Sequence, residues 1–348
     1  MTTEFVTVSE AMTPDDLAVI ERAAAVIRAG GLVVFPTETV YGLGADATRQ
    51  AAAESIYAAK GRPADNPLII HIARPEDAEA YAVTSPLYYR LAKAFMPGPL
   101  TVVLPVRKSI PKSVTAGLPT VAVRCPAHPI AAALICAAGV PIAAPSANLS
   151  GSPSPTNAAH VRDDMDGRVD MILDGGESVI GLESTIVKIE QDDTLTLLRP
   201  GAVTPEDFEA LGIGLRLAGA VLRALAPGET VLSPGMKYRH YAPRIPFYLL
   251  DGNAKAALAY LSGREERSAV LCYEEDIPLF SACPALSAFS VGSRKDLSGF
   301  AHRLFTLLRD CDREEFSAIY APLPPKNGLG LALYNRMIRA AAHQIITL

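Results

Sequence analysis

Apolar positions follow helical spacing from Asp15 to Ala29, where Thr13 is placed to cap and Pro14 stands in the first turn; Gly30-Gly31 then stops the helix. Leu32 to Phe35 is an unbroken apolar run, the pattern of a short buried strand. The same reading predicts helices at Gln50 to Lys60, Tyr88 to Phe95 and His128 to Ala138. It predicts strands at Leu68 to His71, Leu100 to Leu104, Val121 to Arg124, Ile142 to Ala144, Ser184 to Ile189 and Thr196 to Leu198. Mixed helices and strands of this kind imply an α/β layered domain over roughly the first 210 residues.

The texture then changes. Gly212 to Gly228 is rich in Gly, Ala and Leu, and a polar, aromatic stretch runs from Ser233 to Pro243. Beyond it the alternation is cleaner. Strands are predicted at Phe247 to Leu250, Ala269 to Tyr273 and Ala318 to Tyr320, and helices at Ala254 to Leu261, Leu297 to Leu308 and Leu329 to His343. That order suggests a smaller, mostly parallel, doubly wound domain. No fixed-period repeat or low-complexity tract interrupts it.

Composition narrows the picture. A chain of 348 residues, 49% hydrophobic and 20% charged, suits two folded domains rather than disorder. A net charge of −5 argues against a broad nucleic-acid-gripping face. The first fifteen residues lack a basic and then apolar leader, so no export signal is expected. The longest apolar run, Pro129 to Pro145, is broken by Gly139 and Pro141 and reads as helix, turn and strand rather than a membrane span. Cys125, Cys136, Cys272, Cys283 and Cys311 form no paired motif and are expected to be buried, reduced thiols.

Several polar segments sit at predicted strand or helix ends. Lys60-Gly61-Arg62-Pro63-Ala64-Asp65-Asn66-Pro67 sets two cations two residues apart and follows them with prolines that restrict the loop, an arrangement suited to aiming positive charge at an anion. Phe35 to Gly44 offers two hydroxyls, a carboxylate and a phenol, then glycines that permit close backbone approach; a plain polar turn is the competing reading. Arg124 ends an apolar strand and so needs an anionic partner. Ala144 to Gly151, Glu183 to Val187 and Leu198 to Gly201 each put a polar residue beside a strand and then turn. Ser233 to Pro243 alternates cations with aromatics, unlike a passive linker. There is no P-loop motif and no zinc-type Cys/His spacing.

From about Val26 onward, these phrases in this order resemble the threonylcarbamoyl-AMP synthase family in its long form, with Lys60-x-Arg62 and Ser146-x-Asn148 as the signature. The resemblance implies a YrdC-like catalytic domain (1–212) with a twisted, mixed, open sheet. It also implies a linker that acts as a lid (213–243) and a smaller Rossmann-like, mostly parallel α/β domain (244–348). The implied reaction joins L-threonine, bicarbonate and ATP, with Mg²⁺, into threonylcarbamoyl-AMP and pyrophosphate. The product would pass to a tRNA threonylcarbamoyl transferase complex in the cytoplasm. By the same resemblance Lys60, Arg62, Asn66, Thr120, Ser146, Arg199 and Tyr238 would contact ATP. Thr37, His71, Arg124, Ala144 and Ser184 would hold threonine, and Lys60, Arg62, Ser146 and Asn148 would be catalytic. Metal ligands remain unassigned. Two departures stand out: Met96 where relatives commonly carry Trp, and Ala144 where some carry a hydroxyl. An RNA-binding protein using the same basic cavity, and a hydrogenase-maturation carbamoyltransferase, are the rival readings. The second would bring zinc-finger cysteine pairs that this chain lacks.

Overall fold

Thr13 caps the helix Pro14–Ala29 reciprocally: its hydroxyl accepts the Asp16 amide at 3.3 Å, and the Asp16 carboxylate accepts the Thr13 amide at 2.9 Å. Gly30 closes the helix at φ 92°, a conformation a side chain resists. The structure, a computed structural model, describes residues 2–223 and 240–348. The helices Gln50–Lys60 and Ala254–Leu261 have the predicted bounds.

The chain divides into two units. The larger takes Met1–Ser150, Ser154–Val179 and the chain from Glu183; the smaller takes Gly151–Pro153, Ile180–Leu182 and the chain running to Leu348. Eleven strands of the larger unit form one sheet. They are β1 (Glu4–Thr7), β2 (Val33–Phe35), β3 (Gly42–Asp46), β4 (Ile69–His71), β5 (Leu100–Pro105), β6 (Thr120–Arg124), β7 (Ile142–Ala143), β8 (Met171–Asp174), β9 (Thr185–Ile189), β10 (Leu195–Arg199) and β11 (Leu215–Leu217). Their spatial order is β1-β8-β2-β3-β7-β4-β6-β5-β9-β10-β11, with parallel and antiparallel pairings mixed. One face of its central strands is core: Ile70, Val102, Val123, Val187 and Leu197 are all fully buried. The alternate positions carry the polar residues described below, following the two-residue repeat of a strand. The helices Pro14–Ala29 and Pro129–Ala138 cover another part of the sheet, where Ile20, Ile27, Ile130 and Leu134 pack with Phe35 and Ile142.

Five parallel strands make the second sheet: β12 (Phe247–Asp251), β13 (Ser268–Cys272), β14 (Leu286–Ser290), β15 (Ile319–Pro322) and β16 (Ile345–Thr347). Their order is β14-β13-β15-β12-β16, and Leu250, Leu261, Val270, Phe280 and Tyr320 share its core.

Three expectations change. The larger unit does not stop at residue 212: Leu195, Thr196 and Leu197 pair in parallel with Leu215, Arg216 and Leu217, so the stretch expected to begin the linker extends the sheet. Cys136 is exposed and Cys283 partly so, because both lie on outward positions; all five cysteines are free thiols. Gly42 and Gly44 do not open the backbone to a ligand. They lie within β3, paired with β2 in a hairpin, where a Cβ on Gly44 would stand 2.7 Å from the Phe35 ring and 2.8 Å from Ile142. Gly44→Ala should therefore destabilise the protein by about 1–3 kcal/mol through overpacking, read by urea unfolding; an unchanged midpoint would show that Phe35 can move aside.

Candidate active site

Strand register gathers the site. His71 at the end of β4 lies beside Arg124 at the end of β6, and Arg124 lies beside Thr101 on β5. Laterally paired residues share a face and sit about 5 Å apart, so imidazole, guanidinium and hydroxyl form a row. Thr101 extends it to β9, its hydroxyl 2.8 Å from that of Ser184. Arg199 completes it, donating from Nε to the Ser184 carbonyl at 3.0 Å and from Nη2 to the Ser184 hydroxyl at 3.1 Å. A bulge in β10 aims this arginine: Leu197 pairs with Val187, yet Arg199 pairs with Ile186, so Leu198 and Arg199 both stand opposite Ile186. In an unbroken strand Arg199 would face away from Thr101; the extra residue turns it toward the row. Gly201 permits the close return, since a Cβ there would meet the Thr185 amide at 2.5 Å.

Burial governs the electrostatics. Arg124 and its partner Glu38 have side chains only 5% and 13% exposed. Arg124 Nη2 stands 2.7 Å from Glu38 Oε1, close enough for an ion pair but misaligned as a hydrogen bond; the backbone amides of Glu38 and Ala127 also favour the charged carboxylate, yet neither is aligned on its oxygens. Burial pushes the Glu38 carboxyl up, and the charge and proximity of the Arg124 guanidinium, together with the backbone amides of Glu38 and Ala127, more than reverse this, leaving it below the ordinary range. Burial, reinforced by the Arg124 charge, pushes His71 down to about 3, so its ring is neutral and its Nδ1 has no partner.

A second group lies at the opposite ends of the same strands. Thr120 starts β6, four residues from Arg124, which is about 13 Å along a strand. The β4–β6 register carries Thr120 to the side of Pro67, next to Asn66. Asn66 is fully buried with both side-chain amide atoms unpartnered, while its carbonyl accepts from Tyr57 at 3.0 Å and from Arg62 at 3.1 Å. Arg62 also donates to Pro67 O at 3.0 Å, so the proline-flanked loop is closed on itself. Lys60, last residue of its helix, is buried; its ammonium donates to Ser146 O and Asn148 O at 2.5 Å each and to Asn148 Oδ1 at 3.3 Å. Ser146 Oγ bonds Asn148 Oδ1 at 2.5 Å. Gly42 bridges to Ser146, attaching this loop to β3.

The expected residues thus fall into two groups on one sheet. Arg199, expected among the ATP contacts, stands with Ser184, expected to hold threonine. The Thr37 hydroxyl is engaged in its own turn, donating to Val40 O at 2.6 Å and pairing with Thr39 at 2.8 Å. Ala144 is buried and its amide donates to Ile69 O at 2.9 Å. Tyr238, with residues 233–237 and 239 of its segment, lies outside the described residues. Glu38 and Thr101 are the additions that sequence reasoning did not single out. A carboxylate between two threonines after a buried strand was the available signal for the first; register, invisible in one sequence, was needed for the second.

Two families match the chain: one described as "Telomere recombination" over residues 25–201, and "Threonylcarbamoyl-AMP synthase, C-terminal domain" over residues 203–342. The chain is 43% identical over 347 residues to a threonylcarbamoyl-AMP synthase of Bacillus subtilis, covering 98% of each chain. It is also 43% identical over 338 residues to one from Pyrococcus abyssi, covering 94% of this chain and 95% of that one. The crystal structure of P. abyssi Sua5 complexed with L-threonine matches with a TM-score of 0.88 at 42% identity, over 99% of this chain and all of that one. No helix among the described residues is long and apolar enough to cross a membrane.

Proposed function

The chain belongs to the threonylcarbamoyl-AMP synthase family, and on that premise we propose that it condenses L-threonine, bicarbonate and ATP into threonylcarbamoyl-AMP and pyrophosphate. The observation that carries the reading is the continuous row of His71, Arg124, Thr101, Ser184 and Arg199 across adjacent strands. It offers two buried guanidiniums and two hydroxyls in one place.

The chemistry asks little of a protein nucleophile. A carbamate oxygen attacks the α-phosphorus and pyrophosphate leaves, so charge on phosphate oxygens must be stabilised. The planar fork of Arg124 suits the threonine carboxylate. Arg199, bonded to Ser184, would meet the α-phosphate where it approaches the carbamate. Asn66, Thr120 and the loop held by Lys60 would take the far part of the nucleotide, about one strand length away. The unpartnered Asn66 amide supports this, because a buried amide without partners is costly unless a ligand completes it. Magnesium would arrive on the ATP phosphates; no group of three or more His, Cys, Asp or Glu among the described residues is placed to hold a metal. The product would be consumed by a cytoplasmic tRNA-modifying transferase complex.

Incubating the protein with ATP, bicarbonate and single amino acids tests the reading. Pyrophosphate release should depend on L-threonine. Release that is equal without any amino acid, or no release with threonine, would remove it.

A further inference from the structure

We propose that Glu38 is the base that takes the proton from the threonine ammonium, held back by Arg124 until the substrate's own carboxylate arrives. This rests on the reading that Arg124 binds that carboxylate. A carbamate forms only from a neutral amine, because an ammonium has no lone pair to attack carbon. The groups that face Glu38 are Arg124 from β6, His71 from β4, and Cys125 and His128 from the segment that follows β6. Arg124 cannot accept a proton. His71 is too weak a base at about 3. The Cys125 thiol, pushed up to about 12 by burial, keeps its proton and donates to Ala73 O at 3.4 Å. His128 already receives the Ile130 amide at Nδ1 and stands 3.3 Å from Glu10 at Nε2. Glu38 alone of these presents two buried oxygens without an aligned donor.

Position and timing agree. An α-amino acid carries its ammonium one carbon from its carboxylate. A substrate seated on Arg124 therefore brings that ammonium to a carboxylate which already touches the same guanidinium, at 2.7 Å. In the free protein the Arg124 charge keeps Glu38 a weak base. An incoming carboxylate offsets that charge and sets a second negative group beside Glu38, and both changes raise its proton affinity. The step balances: R–NH₃⁺ and Glu38–COO⁻ give R–NH₂ and Glu38–COOH. The amine then attacks bicarbonate, forming the N–C bond and giving R–NH–COO⁻ and water, and Glu38 releases its proton to solvent.

The reverse half-reaction, ATP formation from threonylcarbamoyl-AMP and pyrophosphate, needs no amine deprotonation, so the two directions separate base from scaffold. Glu38→Gln should lower threonine-dependent pyrophosphate release at pH 7 about 100-fold or more and lower ATP formation far less. The forward rate should recover about tenfold per pH unit as solution supplies free amine. Equal losses in both directions without recovery at high pH would make Glu38 only a partner for Arg124 and end the proposal. Should Glu38→Gln not fold, Glu38→Asp keeps the charge that Arg124 needs while drawing the carboxylate back. A loss confined to the forward direction then supports the proposal, and equal losses overturn it. Calorimetric titration of L-threonine into Arg124→Met checks the reading beneath: undiminished affinity would remove Arg124 as the carboxylate clamp, whatever Glu38→Gln does.

Discussion

Lys60→Ala should lose turnover and fold stability together. The lysine is buried and its ammonium gathers two carbonyls and one side-chain oxygen of the Ser146 to Asn148 loop. Its removal strands those acceptors, at about 1–3 kcal/mol for each buried group left unmade, so a loss of at least about 3 kcal/mol in urea unfolding is expected. Pyrophosphate release should fall about 10²–10³-fold, the scale for loss of one charge-stabilising element. The coupling of the two losses is what discriminates. A lysine that only touched phosphate would cost activity while leaving unfolding unchanged, and that result would overturn the role assigned to the loop.

The second large effect falls on Arg124. Replacing it by Met leaves Glu38 as a buried carboxylate without its counter-charge, a change on the scale of 3–5 kcal/mol. It should weaken L-threonine binding at least about 100-fold, or about 2.7 kcal/mol. The pH response carries a distinct sign. In the wild type Glu38 titrates below its unfolded value, so its stabilising contribution is complete above the unfolded pKa and is lost as pH falls through the folded one. Without Arg124, burial is opposed only by the backbone amides of Glu38 and Ala127 and raises the folded pKa; the Glu38 contribution is then favourable in acid and is lost as pH rises. The stability gap between the two proteins should thus be widest near neutrality and shrink as pH drops through the ordinary carboxylate range. A gap independent of pH would show that Glu38 is not the group Arg124 compensates.

Most long, buried elements were legible from the sequence; the edges were not, nor was β8, which is buried between β1 and β2 but only four residues long. The overlooked strands β1, β11, β14 and β16 lie at the ends of their sheets and are partly exposed, so their apolar signal is weak. β3 was hidden for another reason: two of its five residues are glycines, which strand propensity disfavours. Within the site, residue types at strand ends pointed to anion chemistry, and Arg124 did prove to have the anionic partner its burial required. Lateral order was another matter. That His71, Arg124 and Thr101 are neighbours follows from pairings between segments tens of residues apart, which no local pattern encodes. Arg199 illustrates the limit, because its direction depends on one surplus residue in β10.

That surplus residue matters for comparing relatives. A homologue that carried these same residues but paired them without the bulge would keep every polar phrase intact and still present its arginine to the hydrophobic interior. Motif inventories would score such a chain as complete. The register of β10 against β9 is therefore as diagnostic of a working enzyme as the motifs themselves.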